Sequence, residues 1–167
     1  MHYAIPVRLL TTTWLLVHST TGLAEPAPNP ASYSVPVMTT GFKAPPGMRT
    51  PIREGPNFAG KYYVAMTPCG GPCRSYQIID LGSGKEDLTW DNVFQGLHGP
   101  DEESYPILCG RRDSNLGFSH VDKGPSEIYG IWFVVENGKT RPLGSARKMS
   151  YEEVAEIERL FKPQGCW

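Results

Sequence analysis

Short runs of alternating apolar and polar residues make up most of the chain after residue 57, and this pattern predicts strands. The first two runs, residues 58–66 and 75–81, flank a loop with two cysteines and are interpreted as a β-hairpin. Both odd and even positions of residues 58–66 are apolar, so we expect that strand to be covered on both sides. Further strands are predicted at residues 88–94, 105–109, 116–121, 127–135 and 140–143.

A second hairpin is predicted near the end of the sheet. Residues 127–135 are rich in β-branched and aromatic side chains, and Asn137 and Gly138 follow them. An Asn-Gly pair favours the type I′ turn that joins antiparallel strands. Residues 127–135 and 140–143 should therefore pair with each other.

One helix is predicted, at residues 150–161. Ser150 with Glu153 three residues later forms a capping box, in which each side chain satisfies a main-chain amide of the other residue. Its apolar stripe consists of Val154, Ile157, Leu160 and Phe161. The predicted fold class is therefore α+β and mainly antiparallel β, as a curled sheet or an open barrel, with one C-terminal helix.

The first 56 residues differ from the rest of the chain. Residues 1–24 contain Arg8, an apolar core and the ending Gly-Leu-Ala, which predicts a secretory signal peptide cleaved after Ala24. Residues 25–56 hold half of the 16 prolines, so this proline-rich N-terminal segment should contain no central strand or helix, and its degree of order is left open. Residues 57–167 are expected to form a β-rich, disulfide-bonded domain.

All four cysteines lie in the part predicted to be exported, which favours two disulfides. Of the three possible pairings we prefer Cys69 with Cys73, across a Gly-Gly-Pro turn, and Cys109 with Cys166. A catalytic dithiol at the first pair is disfavoured because three residues intervene and strands flank the loop. Zinc is disfavoured because tight CxxC pairs are missing and an oxidising compartment competes for thiols. No metal and no cofactor are expected.

The charge balance narrows the class of partner. After residue 24 the chain has 15 basic and 17 acidic side chains, so neither a nucleic acid nor an anionic membrane surface is an expected partner. No stable membrane insertion is expected once the signal is removed, and the predicted location is periplasmic or secreted.

Arg111, Arg112 and Asp113 form the densest polar cluster and are candidate binding residues. Two adjacent arginines can present paired N–H donors to a carboxylate or phosphate on a partner. In the alternative interpretation, Asp113 pairs with an arginine of the same chain and the following Ser-Asn pair builds a turn.

Two histidines are further candidates for binding. His98 lies beside the acidic residues 101–103, which is compatible with a divalent-ion site or with a solvated acidic loop. His120, near the end of a predicted strand, is a candidate general base or binding group. The sequence contains no GxSxG, HExxH or Walker-type motif, so we assign no catalytic residue.

Residues 55–80, GPNFAGKYYVAMTPCGGPCRSYQIID, carry a resemblance. This stretch resembles a group of small exported bacterial proteins, largely without assigned function, with an N-F-A-G-x-Y element, a short cysteine-containing loop and a strand ending in Asp. Looser similarity is found around residues 112–116 and in the segment YGIWFVVENGK. The resemblance implies a location in the bacterial envelope and supplies no catalytic residues.

Together these features predict an exported binding module with a protein partner in the cell envelope. Its most concrete form is an inhibitor or immunity protein for a cell-wall-acting enzyme. One alternative is an envelope hydrolase that uses His98 or His120 with nearby carboxylates, which requires a histidine, a carboxylate and a hydroxyl in one pocket. The other is a structural envelope component.

Overall fold

Two antiparallel sheets and a helix make up the fold. The computed structural model describes residues 27–46, 54–70, 73–86, 106–125, 127–162 and 165–167, with the backbone alone for Cys69 and Cys73. In chain order its elements are β1 (Tyr62–Gly70), β2 (Cys73–Asp80), β3 (Lys85–Glu86), β4 (Ile107–Arg111), β5 (Ser114–Asp122), β6 (Ile128–Glu136), β7 (Lys139–Met149) and α1 (Tyr151–Leu160). A 3-10 helix at Pro30–Tyr33 precedes them. Neither of these helices is long and apolar enough to cross a bilayer.

The first sheet has the order β1-β2-β3. Tyr62 pairs with Asp80 and the register continues to Gly70 opposite Cys73, which confirms the first predicted hairpin. β1 begins at Tyr62 and not at residue 58, because residues 58–61 belong to a turn. The strand predicted at residues 88–94 lies outside the described residues.

The expectation that β1 is covered on both sides is wrong. Tyr62 and Val64 are each 2% exposed, whereas Met66 on the same face is 39% exposed. Tyr63 and Ala65 on the opposite face are half-buried. The strand therefore packs on one side at its start and leaves the second sheet as it approaches the cysteine loop.

The second sheet is a meander in the order β4-β5-β6-β7. Asn137 and Gly138 join β6 to β7 with φ angles of 51° and 75°, which are the signs that a type I′ turn requires. The second predicted hairpin is thus confirmed. The predicted fold class is confirmed as well, and the described strands fit the curled sheet because they close no barrel.

β7 is much longer than the predicted residues 140–143. It runs for 11 residues and has an irregular register opposite Ile131, with Gly144 at a φ of 85°. Most of its outward side chains are polar or charged, since β7 is the last of the described strands in its sheet. A hydrophobic pattern detects buried strands better than edge strands, and for this reason it missed the second half of β7.

The four-stranded sheet is the middle layer. On one face, its side chains form a buried cluster with β1, β2 and the turn before β1. On the other face, a second cluster packs against α1 and the N-terminal segment. The largest fully buried side chains of the two clusters are Phe58, Phe118, Phe133, Phe161, Leu108 and Leu116.

Helix α1 has the predicted capping box. The Ser150 hydroxyl accepts a hydrogen bond from the Glu153 amide (3.1 Å), and the Glu153 carboxylate accepts one from the Ser150 amide (2.8 Å). Val154, Ile157 and Phe161 are buried as expected, whereas Leu160 is 40% exposed. The stripe is therefore narrower than predicted.

The described part of the N-terminal proline-rich segment, residues 27–46, packs against the rest of the fold. Pro30 is buried, and the segment contains only the 3-10 helix and one isolated bridge, at Ser34. Its main-chain amides donate hydrogen bonds at three points: Val35 to Asp113 (3.0 Å), Met38 to Gly60 (2.7 Å) and Lys43 to Leu81 (2.8 Å). These bonds connect the N-terminal segment to the turns at the ends of both sheets.

The Cys109–Cys166 disulfide is confirmed. Residues 165–167 run beside β4, where the Trp167 amide donates to the Leu108 oxygen (2.8 Å). The Tyr76 hydroxyl lies 2.7 Å from the main-chain oxygen of Trp167 and can donate to it. The side chains of Cys69 and Cys73 lie outside the described part, so their pairing stays a prediction.

Candidate functional site

The N-F-A-G-x-Y element forms a closed turn before β1, which we call the NFAG turn (residues 57–62). The Phe58 and Tyr62 amides each donate to the other residue's oxygen, at 3.0 and 2.9 Å. Between them Ala59 and Gly60 have φ angles of 43° and 78°. A Cβ on Gly60 would lie 2.3 Å from a main-chain oxygen of the N-terminal segment, so a larger residue cannot fit without a shift.

The contacts of the first two side chains explain why the element begins with Asn and Phe. The Asn57 side-chain Nδ2 donates to the Val64 oxygen (3.0 Å) and its Oδ1 accepts from the Val64 main-chain amide (2.8 Å), so the side chain acts as a neighbouring strand would. Phe58 is fully buried against Gly110, where an added Cβ would lie 2.3 Å from the Phe58 ring. Phe133 and Trp167 contact the same ring edge to face, with centroids 6.3 Å away.

The strand that ends in Asp also has a structural explanation. Asp80 accepts hydrogen bonds from the Lys61 ammonium (2.6 Å) and from the Gly82 amide (2.8 Å), which holds the turn after β2. Burial alone would raise the pKa of Asp80, but the Lys61 and Gly82 hydrogen bonds outweigh burial and the pKa lies below the usual value.

The NFAG turn is docked on the turn between β4 and β5, residues 111–113, which we call the hairpin tip. The Ala59 amide donates to the Arg111 oxygen (3.0 Å), and the Gly60 amide donates to the Arg112 oxygen (2.7 Å). The element and the looser similarity around residues 112–116 therefore meet in space. This contact joins the two sheets at one end of the molecule.

The N-terminal segment fixes the hairpin tip from another side. The Val35 amide donates to the Asp113 oxygen (3.0 Å), and the Ser114 hydroxyl donates to the Pro30 oxygen (3.1 Å). Ser34 and Ser114 form an antiparallel bridge. Every residue of the tip thus has a main-chain carbonyl bound by another segment.

Arg111 and Asp113 bind each other, as the alternative interpretation of the cluster expected. The Arg111 Nε and Nη2 donate to the two Asp113 carboxylate oxygens at 2.8 and 2.7 Å. This paired hydrogen bond lowers the pKa of Asp113 below its usual value, although burial opposes it. The turn itself is formed by residues 112–113, since Ser114 already belongs to β5.

Arg112 is left as the exposed cation of the cluster. Among the described residues no carboxylate forms an ion pair with its side chain. A cleft of about 370 Å³ lies beside the hairpin tip, between the 3-10 helix and the end of α1. Its lining includes Asn29, Ser34, Arg111, Asp113, Ser114 and Leu160.

His120 lies near the end of β5 that is farther along the chain from this tip, next to Glu158 of α1. Its Nε2 is 3.0 Å from a Glu158 carboxylate oxygen, and its ring stacks on Phe118. The His120 side chain is 7% exposed and that of Glu158 is 39% exposed. Burial lowers the pKa of His120 below the usual value, although the Glu158 hydrogen bond opposes this.

The disulfide adjoins this pair. Cys109 is fully buried, and its sulfur lies within 4.8 Å of the ligand atoms of His120 and Glu158. Cys166, at the other end of the bond, is half-buried. His120 was identified as a candidate from the sequence, but neither Glu158 nor Cys109 was predicted as a neighbour of His120.

His98 and the acidic residues 101–103 lie outside the described residues, so both interpretations of that loop stay predictions. Of the predicted binding residues, the structure brings Arg111, Arg112 and Asp113 together and places His120 elsewhere.

Sequence reasoning missed Glu158 and a second cleft. Glu158 follows Val154 by four residues and precedes Phe161 by three, so it lies on the apolar face of the helix. A charged residue on that face was the sequence feature that could have identified it. The second cleft, of about 370 Å³, lies at the irregular part of β7 and is lined by Tyr33, Trp132 and Arg147 among others. Its signal, the glycine at position 144, is too common to identify a site.

No protein-family model matches this chain, and neither the curated proteins nor the solved structures gave a match.

Proposed function

We propose that this protein is an exported binding module that contacts a protein partner of the cell envelope through its hairpin tip. The observation that carries the proposal is the exposed Arg112 side chain on a backbone that is hydrogen-bonded to the NFAG turn and to the N-terminal segment. A contact residue on a fixed backbone loses less conformational entropy on binding than one on a loose loop.

The charges of the hairpin tip indicate the chemistry of the partner. Asp113 neutralises Arg111, so Arg112 gives the tip a single exposed positive charge. An acidic site on a protein is the natural complement of such a guanidinium. Glycosidases place two carboxylates around the bond that they cleave, so an inhibitor or immunity protein for a cell-wall-acting glycosidase is the most concrete form of the proposal.

The hydrolase alternative is supported by the pairing of His120 with Glu158 at 3.0 Å. The binding function is favoured over it because the His120 side chain is 7% exposed and lies under α1, where a polymeric substrate has little access. Self-association without a separable partner would instead indicate a structural envelope component.

The test is affinity capture from an envelope extract with the mature, oxidised protein and mass spectrometry of the retained proteins. Arg112→Ala is compared with Arg141→Ala, which removes an exposed guanidinium of β7 that is paired with Glu136. We expect the wild type and Arg141→Ala to retain one stoichiometric hydrolase, and Arg112→Ala to bind it at least about 30-fold more weakly, as for a hot-spot residue.

The captured hydrolase is then assayed on purified peptidoglycan with increasing amounts of each variant. Inhibition by the wild type and its loss in Arg112→Ala support the inhibitor form. Equal binding by wild type and Arg112→Ala, or no protein above background with the wild type, contradicts the proposal.

A further inference from the structure

Three elements bring metal-ligand atoms together on the helix side of the middle sheet. Cys109 comes from β4, His120 from β5 and Glu158 from α1, and one ligand atom of each lies within 4.8 Å of the other two. Thiolate, imidazole and carboxylate are the three side-chain ligand types of protein-bound zinc.

Cys166 adds a second sulfur, because it is bonded to Cys109. The main chain around it is held independently of that bond, since the Trp167 amide donates to the Leu108 oxygen and the Tyr76 hydroxyl contacts the Trp167 oxygen. Reduction of the disulfide therefore leaves the Cys109 sulfur beside His120 and Glu158, with the Cys166 sulfur next to that of Cys109.

His120 provides a second, independent observation. Its residue is 6% exposed, and among the described residues its Nδ1 has no hydrogen-bond partner. Leaving a buried polar atom without a partner costs about 1–3 kcal/mol, so such an atom calls for an explanation. Only Nε2 of the His120 ring has a hydrogen-bond partner among the described residues, so the ring can bind one more group than it does in the oxidised protein.

We propose that Cys109, Cys166, His120 and Glu158 form a tetrahedral Zn²⁺ site when the Cys109–Cys166 bond is reduced. Bond lengths of 2.0–2.3 Å put tetrahedral ligand atoms about 3.3–3.8 Å apart. The His120 Nε2 and the Glu158 oxygen, 3.0 Å apart, are already this close, so the main movement is an approach of the Cys109 sulfur by at most about 1.5 Å. The disulfide and the metal are then alternative ways to fasten α1 and residues 165–167 to β4 and β5.

The reaction balances with a phosphine as the reductant. The phosphine gives two electrons to the disulfide and becomes a phosphine oxide with oxygen from water, and the two sulfurs become thiols. Zn²⁺ then displaces one proton from each thiol, while neutral imidazole and carboxylate bind without releasing protons. Two protons are therefore released for each Zn²⁺ bound.

The test uses the mature protein with Cys69→Ser and Cys73→Ser, so that the only thiols are those of Cys109 and Cys166. The phosphine-reduced protein is titrated with Co²⁺ without oxygen, and Zn²⁺ is added in competition. We expect one Co²⁺ per chain, with a thiolate charge-transfer band and the visible bands of tetrahedral cobalt. The oxidised protein should show neither.

Variants separate this site from binding to thiols alone. His120→Asn and Glu158→Gln should each weaken Co²⁺ binding by more than about tenfold, since even residues that support ligands have effects of this size. Glu156→Gln, on the exposed side of the same helix, is the matched control and should bind as the parent does.

Circular dichroism follows the fold of the reduced protein with and without Zn²⁺. A native spectrum in the presence of Zn²⁺ is expected, and a reduced protein that stays unfolded with Zn²⁺ overturns the proposal. Binding that His120→Asn and Glu158→Gln leave unchanged overturns it too, as does a cobalt spectrum without the thiolate band.

Discussion

The Phe58 ring packs directly against Gly110 between the two sheets. A double-mutant cycle can measure how tightly the two residues fit together. A Cβ on Gly110 would lie 2.3 Å from the Phe58 ring, and Phe58 is fully buried. Gly110→Ala alone should destabilise the protein by about 1–3 kcal/mol, because the added methyl group overpacks the core. Phe58→Ala alone should cost about 3–5 kcal/mol, because the lost ring leaves a cavity.

The two effects should not add. Without the ring, the methyl group at position 110 enters the cavity and meets no obstacle, so the double variant should be about as stable as Phe58→Ala alone. The expected coupling energy is about 1–3 kcal/mol in the direction of rescue. Free energies of unfolding would come from urea titrations followed by tryptophan fluorescence and circular dichroism, with sulfate added for the least stable variants.

Gly130→Ala is the control for this cycle. Its added Cβ would meet Met149 and Phe118 on the other face of the middle sheet, so it should combine additively with Phe58→Ala. If the effects of Gly110→Ala and Phe58→Ala on the free energy of unfolding also add to within about 0.5 kcal/mol, the NFAG turn and β4 do not make this close contact.

The remaining predictions concern the disulfide and pH. Cys109→Ala with Cys166→Ala should lower the free energy of unfolding by about 4 kcal/mol, since that bond closes a loop of 57 residues, and Cys69→Ala with Cys73→Ala by about 2. Equal losses in urea titrations would contradict this reasoning. The lowered pKa of His120 means that the unfolded chain binds the proton more readily, so stability should fall as the pH drops below about 6.5. Acid titration of His120→Asn should show a weaker dependence there.

Local features of the fold were predictable from the sequence. The capping box of Ser150 and Glu153 involves residues three apart, and the turn at Asn137 and Gly138 needs only those two residues. Such features depend on the conformational preferences of a few neighbouring residues, and these preferences follow from the residue types alone. The Cys109–Cys166 bond was predictable because only three pairings existed.

The candidate site was only partly predictable, because its contacts join residues far apart in the chain. The hydrogen bond between Gly60 and Arg112 spans 52 positions, and the one between His120 and Glu158 spans 38. The pattern of a strand or a helix gives the face on which a residue lies, but not the element that covers that face. The pairing inside the hairpin tip was among the alternatives because Arg111 and Asp113 are near neighbours.

The construction of β7 has a consequence for how copies of this protein meet at high concentration. An exposed strand edge offers amides and carbonyls with which another chain can extend the sheet. β7 carries Pro142, which has no amide to offer, and three exposed charged side chains: Lys139, Arg141, which pairs with Glu136, and Lys148, which pairs with Glu127. Its irregular register near Gly144 also bends the edge away from a straight line. Two such edges match poorly, so we expect the described edge of β7 to resist edge-to-edge strand addition.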